Sequence, residues 1–102
     1  MQQISLEQYY PGDEAWCDFV EIAKDAINAP DFKTDKSILE NLSERLQGKT
    51  DLAYVIYYFF NNDSLQWIDR QIPILGNLSP IQCITSKDLI NRLREALLRT
   101  PL

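Results

Sequence analysis

An all-α fold, one compact domain built as a bundle of about five or six short helices, is what this sequence predicts. Three observations predict it. Apolar residues recur at three-and-four spacing in separate stretches, helix-capping residues stand close before those stretches, and the single β-rich run has no second run to pair with. With 102 residues, 45% hydrophobic and 25% charged, the chain suits one domain, residues 1–102, with one modest core.

Pro11 and Gly12 make the first segment a loop. From Asp13 to Asn28, Trp16, Phe19, Val20, Ala23 and Ile27 share one helical face; Asp13 is expected to cap this helix and Pro30 to end it. A second helix is expected over Ser37 to Gln47, with Ile38, Leu39, Leu42 and Leu46 on its stripe and Gly48 as the left-handed residue past its end. Ser37 and Glu40 have capping-box spacing, and Thr34 or Asp35 could equally start the helix.

The next stretch, DLAYVIYYFF, has the β-branched and aromatic content of a strand. We read residues 52–60 as helix, because Leu52, Val55, Ile56 and Phe59 follow helical spacing and Thr50 is a good cap. Tyr54, Tyr57, Tyr58 and Phe60 fall off that stripe, as either a homodimer surface or second-face core. Asn61 to Ser64 form a turn into a short helix carrying Leu65, Trp67 and Ile68, which Pro73 keeps short; Trp67 reads as core rather than contact residue.

Ser79 and Pro80 start another short helix, since serine caps an amide and proline at the first position loses no bond. Thr85 and Asp88 repeat the capping spacing before the last helix, whose stripe is Leu89, Ile90, Leu93, Ala96 and Leu97. Glu95 and Arg99 are spaced to pair across its exposed face.

Composition narrows the function. The formal net charge is −5, and residues 1–50, an acidic pair of N-terminal helices, hold ten acids against five bases, whereas the remainder is balanced at five and five. An acidic chain is repelled by phosphate backbones, so DNA binding is not expected; the local basic group Lys87, Arg92, Arg94 and Arg99 is what a nucleic-acid reading would have to use. Without histidine and with two distant cysteines, Cys17 and Cys83, no metal site is expected, and both thiols read as buried and reduced. No cofactor is implied, and paired carboxylates on a cleft or an activated nucleophile are missing, so an enzyme is not expected. The N-terminus has no basic start or apolar signal core, and no run reaches membrane-spanning length, so a cytoplasmic protein is expected.

The connector ILGNLSP, residues 74–80, is the most informative stretch. Gly76 and Asn77 permit a sharp reversal, which would let Ile74, Leu75 and Leu78 fold onto the core while Ser79 and Pro80 launch the next helix. A well-capped turn explains each of these residues, and so does a turn that a partner reads.

The longer string LQWIDRQIPILGNLSPIQCITSKDLINRLREAL resembles the C-terminal toxin-binding domain of the MbcA/ParS/Xre antitoxin family. That pattern has a Trp-aliphatic helix, a Pro, a Leu-Gly pair, a Ser/Thr-Pro helix start and a closing amphipathic helix. Trp67 and Ile68, Pro73, Leu75 and Gly76, Ser79 and Pro80, then Leu89, Ile90 and Leu93 stand in those places, within residues 52–99. Asn77 replaces a second glycine, Gln82 and Cys83 replace an acidic residue and a leucine, and residues 1–50 contain no recognition helix of the kind many members carry.

The resemblance implies an antitoxin-like protein that neutralises a cognate RES-domain, NAD-consuming toxin by covering its active site. The partner-binding residues it implies are Gly76, Asn77, Ser79 and Pro80, with Arg92, Arg94 and Arg99 on the exposed face of the last helix. The alternative is a non-enzymatic helical interaction module with no toxin partner.

Overall fold

The computed structural model describes residues 5–100. Six α-helical elements follow in order: α1 Asp13–Ile27, α2 Lys36–Arg45, α3 Thr50–Phe60, α4 Ser64–Trp67, α5 Pro80–Cys83 and α6 Lys87–Leu98, with 3-10 turns at Leu6–Tyr9, Asn61–Asp63 and Pro73–Leu75. Among the described residues there is no strand; one antiparallel bridge joins Ile72 to Leu78. The protein is all-α, and none of its described helices is long and apolar enough to cross a membrane. The part of the N-terminal expectation that falls on residues 1–4 lies outside the described residues.

The stretch with strand-like composition is the central helix. On α3, Leu52, Ala53, Val55, Ile56 and Tyr57 are all fully buried, and α1, α2, α4 and α6 pack around it. A helix apolar on nearly every side needs neighbours on every side, and the apolar stripes of α1 and α2 supply two of them. Trp16, Ala23 and Ile27 come from α1, Leu42 and Leu46 from α2 and its end, Leu93 and Leu97 from α6. Tyr57 therefore belongs to the core: its hydroxyl accepts the Asp35 backbone N–H at 2.7 Å. Phe60 stacks on Trp67 with ring centroids 4.3 Å apart, and Tyr58 stacks on Phe32.

Several helix starts differ from the sequence reading. Gly12, not Asp13, occupies the cap of α1, because the Asp13 carboxylate is engaged by the Tyr10 hydroxyl and by Arg94. For α2 the alternative start holds: Asp35 accepts from Ser37 N and Ile38 N. Lys49 rather than Thr50 precedes α3, and Ser86 rather than Thr85 caps α6, since the Thr85 hydroxyl donates back to the Gln82 carbonyl. Cys17 is exposed, because it falls beside the α1 stripe rather than on it; Cys83 is buried as expected.

The end of α2 is a Schellman closure. Gly48 N–H donates to the Ser43 carbonyl at 2.8 Å and Gln47 N–H to Glu44 at 3.1 Å, which places Gln47, at φ 58°, in the left-handed position ahead of Gly48 at φ 80°. A side chain there costs about 1 kcal/mol relative to glycine, partly offset by the greater freedom of glycine in the unfolded chain. Gln47→Gly is expected to stabilise the protein by about 0.5 kcal/mol, read as a higher denaturant midpoint; a lower midpoint would show that the Gln47 side chain contributes more than its backbone strain costs.

Candidate functional site

The connector is a closed loop. Ile72 N–H donates to the Leu78 carbonyl at 3.0 Å and Asn77 N–H to the Ile72 carbonyl at 3.1 Å, with Gly76 at φ 74° and Asn77 at φ 63° making the reversal. Leu75 is the inward anchor, fully buried. Ser79 and Pro80 also point inward. Ser79 Oγ accepts the Gln82 N–H at 3.3 Å and the Gln82 side chain accepts the Ser79 N–H at 2.8 Å, a reciprocal capping box. Gln82, which breaks the family pattern as a missing charge, thus has a structural task.

This divides the four expected connector contacts. Gly76 and Asn77 are exposed, whereas Ser79 and Pro80 are buried and present little to a partner. Ile74, expected on the core, is instead 52% exposed, because the Pro73–Leu75 turn can aim only one of its two aliphatic side chains inward and Leu75 takes that place.

The three arginines of α6 and its C-terminal cap also differ from expectation, since each is ion-paired within the molecule, and Arg92 and Arg94 pair with residues of distant segments. Arg92 donates from Nε and Nη2 to the Glu7 carboxylate, at 3.2 and 2.8 Å, and from Nη1 to the Leu75 carbonyl at 3.2 Å. One guanidinium therefore joins the N-terminal turn, the connector and α6. Arg92 holds the Glu7 carboxyl below its ordinary range, and Glu7 in turn raises the Arg92 pKa. The contribution of this pair is present above the ordinary glutamate pKa and is lost as the pH falls through the lowered value. Burial pushes the nearby Cys83 thiol up, keeping it protonated.

Arg94 is the second hub. Its Nη2 donates to Asp51 at 3.1 Å and its Nη1 to Asp13 and to the Tyr10 hydroxyl, both at 3.4 Å, while the guanidinium lies over the Trp16 ring. Trp16 Nε1 donates to the same Asp51 carboxylate at 2.8 Å, so α1, α3 and α6 meet at one carboxylate.

Burial, then the hydrogen bond to Asp13, pushes the Tyr10 phenol up to about 12. A raised phenol favours the neutral form in the folded state, so its contribution is whole below the ordinary value of 10.0 and is lost as the pH climbs toward 12. Tyr10 is therefore expected to ionise late in a phenolate absorbance titration, and Tyr10→Phe should remove its step from the late part of the curve. A Tyr10→Phe curve superimposable on the parent would disprove the assignment.

Arg99 is the most open of the three, with its side chain 45% exposed. Its Nε donates to Glu95 at 2.5 Å, and its guanidinium lies over the Tyr9 ring at 4.8 Å. Glu95 itself is 6% exposed, not on a solvated face, because the Leu6–Tyr9 turn packs along that side of α6.

Together these segments bound a groove of ≈ 410 Å³, lined by Leu6, Tyr9, Pro73, Ile74, Gly76, Arg92 and Arg99 among others. Tyr9 and Ile74, each 52% exposed, are two of the three large apolar side chains most exposed among the described residues, and both stand on this groove. The structure thus brings Gly76, Arg92 and Arg99 together and places Arg94 in a separate cleft with Asp13, Trp16, Cys17 and Asp51. Sequence reasoning missed Glu7 and Tyr9; the acid excess at one end and the arginines at the other were the available signal.

In comparisons with known proteins no family model matches this chain, and neither a curated protein nor a solved structure does.

Proposed function

We propose that this chain is a non-catalytic, antitoxin-like binding protein of the cytoplasm that neutralises a cognate RES-type, NAD-consuming toxin by covering its active site. The observation that carries the reading is that Pro73, Ile74 and Gly76, from the string resembling the MbcA/ParS/Xre toxin-binding domain, line one groove with Tyr9, Arg92 and Arg99. Exposed apolar side chains gathered beside cations are the composition of a contact surface rather than of a solvated turn. Gly76 and Arg99 are accessible on it and Asn77 is exposed next to Gly76 in the connector; Ser79 and Pro80 hold the connector, and Arg94, in a separate cleft, holds α6 in place.

The test is capture of partners by the tagged full chain in its native host, followed by NAD consumption by the purified partner with and without the chain. A RES-domain enzyme that loses activity on adding the chain is the expected result. Undiminished NAD consumption at saturating chain would end the toxin reading.

A second reading, a helical interaction module without a toxin, is favoured by the engagement of Arg92 and Arg94 with Glu7, Asp13 and Asp51. Side chains occupied inside the molecule are explained without a partner. A module of this kind would capture a partner that consumes no NAD.

A further inference from the structure

We propose that the groove accepts an extended acidic segment of a partner protein, with one aliphatic side chain set between Tyr9 and Ile74 and one carboxylate on the terminal nitrogens of Arg99. This rests on the reading of the groove as the partner-facing surface and adds the chemistry of what enters it.

Charge selects the occupant. The chain carries a net charge of −5, yet this groove is lined by two guanidiniums and no carboxylate, whereas the cleft around Trp16 is lined by Asp13, Glu21 and Asp51 beside Arg94. Both guanidiniums are paired, Arg92 with Glu7 and Arg99 with Glu95, but the paired carboxylates are less exposed than the cations, so an anionic group meets the open side of Arg99 first.

The two guanidiniums do not contribute equally. Arg92 spends Nε and Nη2 on Glu7 and Nη1 on Leu75, which leaves it as a wall. Arg99 spends only Nε, on Glu95, and among the described residues its two terminal nitrogens have no hydrogen-bond partner. The Tyr9 ring, 4.8 Å from the guanidinium carbon, restrains that side chain, so less freedom is lost on binding. Glu95, already in contact with Arg99, favours a singly charged carboxylate over a phosphate dianion at the same fork.

The apolar part of the segment follows from Tyr9 and Ile74, which the N-terminal turn and the connector hold half-exposed on the same groove. A volume of ≈ 410 Å³ accommodates a few side chains.

The experiment titrates the full-length, nitrogen-15-labelled chain with the blocked tripeptide acetyl-Leu-Glu-Leu-amide, its Gln counterpart and inorganic phosphate, followed by amide chemical shifts. The Glu peptide is expected to bind in the millimolar range, to move the amides of Leu6, Tyr9, Ile74, Gly76 and Arg99, and to bind about fivefold more tightly than the Gln peptide. Arg99→Gln should abolish the preference for Glu, and Arg99→Lys should keep part of it, which separates loss of charge from loss of the Tyr9 contact. Equal binding of both peptides, no shifts at the groove, or shifts with phosphate alone would each overturn the proposal. Glu-selective binding in a chain that silences no NAD-consuming enzyme would leave this inference standing and remove the toxin reading; toxin silencing unaffected by Arg99→Gln and without peptide binding would do the reverse.

Discussion

Arg94→Glu is expected to lower stability by about 3 kcal/mol, a fall in melting temperature of roughly 15 °C for a domain of this size. The reason is that Arg94 is the one cation among Asp13, Asp51 and the ring faces of Tyr10 and Trp16, and its side chain is only 21% exposed. Reversing its charge leaves three carboxylates facing one another around an indole. The sequence reading places Arg94 on the outer face of the last helix, where the same change would leave folding intact. Here the structure decides otherwise, because α6 presents Arg94 to α1 and α3. Much of the pair's Coulomb energy is lost to solvent at Asp13, which is 81% exposed, so the Asp51 half of the network carries most of the effect. Arg94→Lys, which keeps the charge but not the fork, should cost less than half as much. A melting temperature for Arg94→Glu within a few degrees of the parent would show that the hub contributes nothing to stability.

Gly76→Val is expected to cost about 2 to 3 kcal/mol, from two separable sources. The first is the backbone: at φ 74° a β-branched residue is strained whatever surrounds it. The second is contact, since a Cβ built on Gly76 lies 3.1 Å from Arg92 Nη1. That nitrogen ends a flexible side chain, yet it donates to the Leu75 carbonyl while Glu7 holds the other two guanidinium nitrogens, so it cannot retreat freely. A double-mutant cycle with Arg92→Ala divides the two. If backbone strain dominates, Gly76→Ala costs the same with and without Arg92; if the contact dominates, the cost shrinks once Arg92 is gone. We expect strain to be the larger part. An unchanged melting temperature for Gly76→Val would overturn both accounts.

Wherever information was local, the sequence was readable. The apolar stripes of α1, α2 and α6, the reversal at Gly76 and Asn77, and the Ser79–Pro80 start depend on residues within one or two turns of each other, and they appear as expected. Cap identities were less readable, because Asp13 and Thr85 have competing partners: Tyr10 and Arg94 for the first, the Gln82 carbonyl for the second. Of the candidate site, the connector was legible and the groove was not. Tyr9, Ile74 and Arg99 lie on three segments that only the packing of the N-terminal turn against α6 and the connector brings together.

What the sequence alone determined is therefore the helical class, the order and approximate span of the helices, and the sharp reversal in the connector, since short-range sterics and hydrophobic periodicity govern all three. What only the tertiary structure decided is the fate of charge and exposure: that Arg92 closes on Glu7 across 85 positions, that Arg94 closes on Asp51 across 43, that Ser79 turns inward and Ile74 outward. The physical reason is that an ion pair or a buried face depends on distance in space, and residues far apart in the chain acquire that distance only when the helices pack.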